Sequence, residues 1–419
     1  MSAEAWGTLA RPGTQLRELW AELTADGASL GAMERLGKRH GREMARFVSM
    51  QMELGRRASS RFPDGRLTFF TPKGLEQASG AAAADERAAR FARASDGGGT
   101  PLAWDACCGI GSDAVALARS GLRVVATDLD AESARCTAGN LELGAGVTAA
   151  AVVAVADARG APPVRSDAGT ILALFDPDRR RDGVRSLRPD DWAPPLRVAV
   201  DQCTRLGGGC VKLAPGLEVE GLGIEDLPGA RLSWISVDGE MKELNLWVGS
   251  LGAALDGGDR SRIAVRRNRS GDRVEHSGPT GFADEIPHRP PAEGDWLVEL
   301  DVALWQSDLA PPFAAERGLG ALEPGLKGSF LMADARPAEH GMLRAWRVKA
   351  HSPAAPKRVR AMLRAHEIGP VTVKTRGIRE PADALAARYG AKPGGKGEPS
   401  LVAVTPVNGK RTAILLERG

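Results

Sequence analysis

Between residues 100 and 250, short apolar runs alternate with helix-like segments, and this alternation constrains the fold more than any other feature. Five runs are predicted strands: 101–104, 122–127, 147–155, 170–175 and 209–213. Each of the first four is followed within two residues by an aspartate. Helices are predicted between runs at 112–120, 131–143 and 195–206. Such alternation predicts an α/β domain with a mostly parallel sheet covered on both faces.

A glycine turn follows the first predicted strand. Gly109 and Gly111 form a Gly-x-Gly pattern that lets a ligand approach the backbone and the start of the next helix. Asp128 ends the second strand, where a carboxylate can accept both hydroxyls of a ribose. Asp105 stands four residues before Gly109, where it repels a pyrophosphate and attracts an ammonium group. The pattern therefore favours S-adenosylmethionine over a dinucleotide, although a tight turn without ligand gives the same glycines.

Composition excludes several other classes of protein. The chain has no apolar run of 18 residues, so no membrane span is expected, and residues 1–11 lack the features of a signal peptide. The five cysteines are odd in number and form no Cys-x-x-Cys pair, which favours a reducing cytoplasm. The six histidines show no metal-binding spacing, so no metal site is expected.

The small net charge of +3 conceals two segments of opposite sign. Residues 346–419 carry 15 lysines and arginines against 5 acidic residues, a balance of +10, so residues 1–345 sum to −7. A basic module on a mildly acidic body is typical of proteins that hold a polyanion. A solvated basic face gives the same pattern, so charge alone leaves both interpretations open.

Three stretches carry a family resemblance. Residues 105–111 (Asp-Ala-Cys-Cys-Gly-Ile-Gly) and 124–130 (Val-Val-Ala-Thr-Asp-Leu-Asp) resemble the first two motifs of class I S-adenosylmethionine-dependent methyltransferases. The Asp-x-x-Cys-Gly form is similar to RNA methyltransferases, above all the trimethylguanosine synthase-like group, which modifies the exocyclic N2 amine of guanine. Residues 69–72 (Phe-Phe-Thr-Pro) resemble that group's segment before the domain.

The basic tail carries a second resemblance. Residues 371–377 and 409–418 are similar to the THUMP-like domain of a group of bacterial methyltransferases, in which a small ferredoxin-like unit precedes the tail. Together the two resemblances span most of the chain. They imply a Rossmann-like class I methyltransferase domain with an N-terminal helical region and small C-terminal α+β modules.

The methyltransferase resemblance assigns roles to the cofactor residues. Asp105 would meet the methionine amino group, while Gly109 and Gly111 allow close approach. Asp128 would hold the ribose hydroxyls. The remaining cofactor candidates are Asp130, which would assist Asp128, Asp157, which would accept from the adenine amine or else cap a turn, and Cys107. Because no base lies near it in the sequence, Cys107 is interpreted as a small packing residue of the site rather than a nucleophile.

The fourth predicted strand leads into Asp176-Pro177-Asp178-Arg179. In amine methyltransferases the resembling motif is Asp/Asn-Pro-Pro followed by an aromatic residue; its oxygens accept from the substrate NH2 and the aromatic ring stacks on the base. Asp176, Pro177 and Arg179 are the catalytic candidates. A guanidinium plane can stack on a base, but the arginines at 179–181 could equally contact phosphates, pair with nearby acids or be solvated.

The sequence is divided into five segments: an N-terminal helical region (1–95), the cofactor-binding domain (96–250), a linker or extra strand (251–293), a ferredoxin-like unit (294–345) and the basic THUMP-like domain (346–419). The predicted function is a cytoplasmic methyltransferase that acts on a base nitrogen of RNA. The alternatives are a non-catalytic cofactor- or RNA-binding protein and a methyltransferase for a small molecule or protein.

Overall fold

A computed structural model describes residues 16–94, 101–144, 147, 150–164, 170–181, 184–224, 227, 229–255, 262–390 and 398–417; the side chains at 181, 185, 398 and 399 are not described. The contacts between Cα atoms divide the chain into two compact units. As far as these ranges are described, the first comprises Met1–Leu232 with Glu243–Asp256, and the second comprises Ser233–Lys242 with Gly257–Gly419.

The first unit begins with five helices: α1 (Leu16–Thr24), α2 (Leu30–His40), α3 (Arg42–Ala58), α4 (Pro72–Gln77) and α5 (Ala81–Arg93). Thr71 caps α4, as its position before a proline predicts, because its hydroxyl accepts from the N–H of Gly74 at 2.8 Å. The sequence predicts one helix from Pro72 to about residue 94, and this is wrong. The helix is interrupted between α4 and α5, where Ala78 is extended (ψ 144°) and Gly80 precedes the second helix.

The α/β core of the first unit follows. Its elements are β1 (Leu102–Asp105), α6 (Ser112–Arg119), β2 (Arg123–Asp128), α7 (Ala131–Leu143), β3 (Ala151–Val155), β4 (Ile171–Phe175), the short β5 (Arg180–Arg181) and β6 (Val184–Arg185), the 3-10 turn Pro189–Asp191, α8 (Leu196–Arg205) and β7 (Gly208–Leu213). Next along the chain come β8 (Arg231–Val237), most of which belongs to the second unit, then β9 (Glu240–Val248) and helix α9 (Gly249–Ala253).

The strand order places a ligand site at the centre of this sheet. Within the first unit the order is β9-β7-β4-β1-β2-β3, with β9 antiparallel to β7 and the other neighbours parallel. Strands β1, β4 and β7 are almost wholly buried, as expected for strands covered on both faces. The order reverses between β1 and β4, and right-handed crossovers put α6 and α8 on opposite faces. The crevice at the carboxyl ends of β1 and β4 is the expected ligand site of such a sheet. The predicted α/β fold class is confirmed.

The second unit contains β10 (Arg262–Arg267), β11 (Arg273–Ser277), the 3-10 turn Ala283–Glu285, β12 (Trp296–Leu300), α10 (Val302–Gln306), α11 (Ala310–Ala315), β13 (Gly320–Ala321), β14 (Leu331–Ala333), β15 (Leu343–Pro353), α12 (Pro356–Ala365), β16 (Ile368–Thr375), α13 (Ala382–Arg388), β17 (Glu398–Val407) and β18 (Lys410–Leu416). Its large sheet has the order β13-β14-β12-β15-β18-β17-β16. Helices α12 and α13 cover one face around Val359 and Leu385, and Phe330 and Met332 belong to a second apolar cluster.

Two features of the second unit differ from the sequence interpretation. The segment 251–293, predicted as a linker or an extra strand, contains two strands, since β10 pairs antiparallel with β11, and the part from residue 267 on is therefore not all loop. Residues 294–345 and the basic tail also share one sheet, since β12 pairs with β15. The boundary predicted at 345/346 therefore falls within β15. The predicted surface loop 392–397 and the glycine-rich joint 96–99 lie outside the described residues.

Candidate active site

A cavity of about 940 Å3 lies at the carboxyl ends of β1, β2 and β4. Eight of the ten residues predicted for the site line it: Cys107, Gly109, Asp128, Asp130, Asp157, Asp176, Pro177 and Arg179. Gly111 and Asp105 do not line it. The segment between residues 71 and 79 forms a further part of its wall. The structure thus brings the candidates of both motifs to one cavity.

The turn between β1 and α6 requires its two glycines. Gly109 and Gly111 have φ angles of +53° and +83°, in the left-handed region that favours glycine. A Cβ on Gly111 would lie 2.9 Å from the side chain of Thr137. The Thr137 hydroxyl donates to the carbonyl oxygen of Gly109 at 2.8 Å. Gly109 therefore meets the cavity, whereas Gly111 lets α6 begin close against α7.

Asp128 is held by backbone donors at the end of β2. Its Oδ2 accepts from the N–H of Gly109 at 2.9 Å, and its Oδ1 accepts from the N–H of Asp130 at 2.9 Å. Burial raises its pKa. Each carboxylate oxygen has a further lone pair, so Asp128 can still accept from the hydroxyls of a ribose.

Asp105 lies beneath the turn and is 1% exposed. Its Oδ2 is buried and accepts no hydrogen bond from any residue that the structure describes. Burial and the neighbouring charge of Asp113 raise its pKa well above the usual range. A buried oxygen without a donor is costly, and an ammonium group of a bound cofactor would supply the missing donor and charge. The residues at this end of the sheet therefore fit S-adenosylmethionine.

Asp130 and Asp157 already have protein partners. Asp130 caps α7, since its carboxylate accepts from the N–H groups of Glu132 and Ser133 and from the Ser133 hydroxyl. Asp157 accepts from the backbone and guanidinium of Arg159, and this bonding lowers its pKa. An adenine amine at Asp157 would share the carboxylate with an exposed arginine.

The two motif cysteines are not placed to react as thiolates. Burial raises the pKa of Cys107 and of Cys108 well above the usual value, and nearby aspartates add to the effect. Thiolates are the nucleophilic form. Burial therefore disfavours a nucleophilic thiolate at either cysteine, and the role of Cys107 as a packing residue beside the cofactor stays a prediction.

The fourth strand end carries the catalytic candidates. Asp176 follows β4 and its side chain is 28% exposed. Asp178, where related motifs have proline, pairs with Lys73 at 3.0 Å. Trp192 is buried, and its indole N–H donates to the carbonyl oxygen of Ser186 at 3.0 Å. Trp192 lines the cavity but is only 2% exposed, so most of its side chain packs in the core.

The sequence interpretation missed several charged groups beneath the cavity. Lys212 lies in the buried strand β7, and its ammonium contacts Asp176 and, at 2.6 Å, the Ser79 hydroxyl. Asp113 binds the fully buried Arg87, whose Nε donates to it at 2.8 Å. A lysine inside an apolar strand was the available signal, because buried lysines are rare unless they are paired.

The Phe-Phe-Thr-Pro segment is fixed by two buried amides. The Gln51 side chain accepts from the N–H of Phe70 at 2.8 Å and donates to its carbonyl oxygen at 3.0 Å. The Asn140 side chain accepts from the N–H groups of Thr68 and Phe69 and donates to the carbonyl oxygens of Phe69 and Ile110. Asn140 therefore joins this segment to the glycine turn.

Basic side chains occur at the cavity wall and on α12. The wall includes Lys73, Arg159, Arg179 and Arg180. In the second unit, Val359, Met362 and Leu363 form the buried side of α12. Its exposed residues Lys357, Arg360 and Arg364 are spaced at i, i+3 and i+7 on the opposite side.

Comparisons with known proteins agree with this architecture. The family model "THUMP domain-like" matches residues 343–418. An uncharacterized S-adenosylmethionine-dependent methyltransferase of Mycobacterium tuberculosis strain H37Rv is 30% identical over 319 residues, which cover 76% of this chain and 80% of the relative. The corresponding protein of strain CDC 1551 matches to the same extent.

A solved structure agrees in fold over the whole chain. The crystal structure of a candidate methyltransferase from Porphyromonas gingivalis W83 superposes with a TM-score of 0.69 and 18% identity, covering 100% of this chain and 99% of that one. Among the described residues, no helix is long and apolar enough to span a membrane, and no group of histidine, cysteine and acidic residues is arranged to hold a metal ion.

Proposed function

The chain belongs to the family of S-adenosylmethionine-dependent methyltransferases that includes its mycobacterial relatives, and it carries a THUMP-like domain; from this membership we propose that it methylates a base nitrogen of RNA. The cofactor is S-adenosylmethionine and the chain is an enzyme. The nucleic-acid substrate, the atom that is methylated, the cytoplasmic location and the roles of individual residues are the proposal.

One observation carries the proposed chemistry: Asp176 and Pro177 line the same cavity as Asp128 and the glycine turn. When bound, S-adenosylmethionine supplies a methyl group on a sulfonium, so the nitrogen lone pair forms an N–C bond while the S–C bond breaks and its electron pair stays on sulfur. The Asp176 carboxylate accepts an N–H of the acceptor amine and aligns the lone pair with the methyl. It also stabilises the positive charge that grows on nitrogen and is placed to take the released proton.

The cofactor-side roles are those that the family resemblance implies, and the positions of the carboxylates support them. Asp105 would pair with the amino group, and Asp128 would accept from the ribose hydroxyls. Asp157 would accept from the adenine amine while it also accepts from Arg159. Asp130 would act mainly by capping α7 and so fixing the backbone beside Asp128. Cys107 would pack against the cofactor.

The proposed RNA contacts lie on two basic surfaces. Arg179 and Arg180 at the cavity wall would stack on the base or contact its flanking phosphates. The cations of α12 would bind backbone phosphates, which position a nucleic acid without reading its sequence. That residues 346–419 hold the RNA remains part of this proposal, although their sheet also includes strands from residues 294–345.

Transfer of label from S-adenosylmethionine to bulk RNA tests the proposal. We expect labelled RNA, with mass spectrometry of its nucleosides showing a methylated base nitrogen. Asp176→Ala should keep the cofactor affinity and lose transfer, since it removes the acceptor for the amine. Exposed Asp190→Ala is the matched control. Cofactor binding by calorimetry without any labelled RNA would contradict the proposal.

A second candidate function is favoured by the altered motif. Asp178 and Arg179 replace the proline and the aromatic residue of amine methyltransferases, and Asp178 is tied to Lys73. That candidate is methyl transfer to a protein or a small molecule, for which no aromatic residue has to stack on a base. Label in protein or small molecules instead of RNA would favour this candidate.

A further inference from the structure

A buried lysine lies directly behind the catalytic candidate Asp176. Lys212 is the residue before the last in the buried strand β7 and is 5% exposed. Its Nζ contacts Asp176 Oδ2 and lies 2.6 Å from the Ser79 hydroxyl and 3.6 Å from Asp113 Oδ2. Placing an ammonium group in this position requires partners for its charge and its donors.

Because Arg87 neutralises Asp113, the charge of Lys212 remains available to Asp176. The Arg87 guanidinium bonds Asp113 Oδ1 and also pairs with Glu243. Burial raises the pKa of Asp113, but Arg87 and then Lys212 outweigh it and lower that pKa. Asp113 thus has its own short-range cation, and the shortest ionic contact of Lys212 is with Asp176.

The contact distinguishes the two oxygens of Asp176. Lys212 contacts Oδ2 of a side chain that lines the cavity and is 28% exposed, so Oδ1 is the oxygen that this ion pair leaves for another donor. The residues between α4 and α5 support the lysine. The Ser79 hydroxyl accepts from Lys212 Nζ, while the Ser79 carbonyl oxygen accepts from the Ser112 hydroxyl at 2.8 Å.

A purely stabilising role explains the arrangement poorly. Apolar residues often replace a buried ion pair without loss of stability. A carboxylate that must accept from an amine, by contrast, needs a fixed direction, and misplacement by about 1 Å can cost about 100-fold in rate.

We propose that Lys212 is a positioning residue for methyl transfer: it holds Asp176 Oδ2 so that Oδ1 is presented to the acceptor amine. Lys212 touches neither the cofactor nor the amine in this role and takes no proton. The inference rests on the proposed function, in which Asp176 accepts from a base amine.

The test separates rate from cofactor binding. Lys212→Met and Lys212→Arg are compared with the wild type for unfolding temperature, cofactor dissociation constant and single-turnover transfer to RNA. We expect Lys212→Met to lower the rate about 100-fold with a far smaller change in cofactor affinity. Lys212→Arg, which keeps a cation, should fold as the wild type does and recover part of the rate. Equal losses of rate and affinity in both variants would overturn the proposal.

A double-mutant cycle identifies Asp176 as the partner. In an Asp176→Asn background the amide does not form the ion pair, so adding Lys212→Met should change the rate less than about 5-fold, because coupled residues are not additive. The same factor in both backgrounds would place the effect of Lys212 elsewhere.

A crystal structure of Lys212→Met tests the inference without activity. The Asp176 carboxylate should leave its present orientation, and an unchanged orientation would overturn the positioning role. If the wild type labels no RNA, the proposed function fails while this structural result still decides what Lys212 does.

Discussion

The carboxylates at and beneath the cavity and the cations of α12 carry opposite charges and are held in opposite ways. Asp105, Asp113 and Asp128 lie at strand ends or at the start of a helix, and all three are mostly or wholly buried. Lys357, Arg360 and Arg364 are exposed along a single helix. A buried charge needs a partner in a fixed direction and is costly to leave unpaired. An exposed charge accepts partners in many positions, and its interactions are weakened by salt.

This difference suits two kinds of ligand. A small cationic cofactor is recognised by a few fixed oxygens, so removing one carboxylate should weaken cofactor binding strongly. A polyanion is held by several mobile cations, so removing one cation should weaken its binding only slightly. The following changes test the contrast.

The largest effect is expected at Asp105. Asp105→Ala should weaken cofactor binding at least about 100-fold, equivalent to about 3 kcal/mol, because a charged group loses its buried partner. Calorimetric titration measures it. Asp105→Asn keeps the shape without the charge and should fall between Ala and the wild type. Unchanged affinity in the alanine variant would remove Asp105 from the site.

The raised pKa of Asp105 also gives a pH dependence. In the free protein its carboxyl keeps a proton at pH values where an ordinary aspartate is ionised. An ammonium partner favours the ionised form, so binding should release a proton and affinity should rise with pH until the free carboxyl is ionised. Titrations in buffers of different ionisation enthalpy count this proton, and Asp105→Asn should abolish it.

Asn140 tests whether burial also fixes the wall of the cavity. Asn140→Ala removes four hydrogen bonds from a fully buried amide and leaves backbone groups unpaired, at a cost of about 2–4 kcal/mol. Chemical denaturation measures the loss. Glu142→Ala, on the exposed side of the same helix, is the control and should change stability little.

The cations of α12 should act weakly and together. Exchanging Lys357, Arg360 and Arg364 for glutamine should weaken RNA binding about 10-fold and reduce the slope of log affinity against log salt by about 2 to 3, as each lost phosphate contact removes nearly one unit. Exchanging three exposed cations of the first unit, Lys38, Arg42 and Arg57, changes net charge equally. Equal effects of both triples would leave the tail without its assigned role.

The smallest effect is expected at Asp157. It is exposed and bonded to Arg159, so Asp157→Ala should change cofactor affinity by less than about 3-fold, since exposed charge pairs contribute little. A loss as large as that at Asp105 would show that exposure does not separate strong from weak carboxylates in this cavity.

The site residues that the sequence identified are those with local spacing. Gly109 and Asp128 follow from a strand–turn–helix pattern in which strand ends meet at one edge of a sheet. For the same reason the sequence of the tail predicts strand, helix, strand, helix and two further strands, and the structure has this order, because each helix and strand has its own periodicity. The helix break at Ala78–Gly80 was missed, since alanine-rich sequence favours helix and the bonds of Ser79 come from distant residues.

By itself, the sequence determined the α/β class, the glycine turn and the charge of each strand end, because these depend on neighbouring residues. The tertiary structure alone decided which oxygens have partners. Lys212 meets Asp176 across 36 positions, and Asn140 meets Thr68 across 72. No local pattern encodes such pairs: they form only when the folded chain places distant residues side by side and burial makes an unpaired polar or charged group too costly to leave.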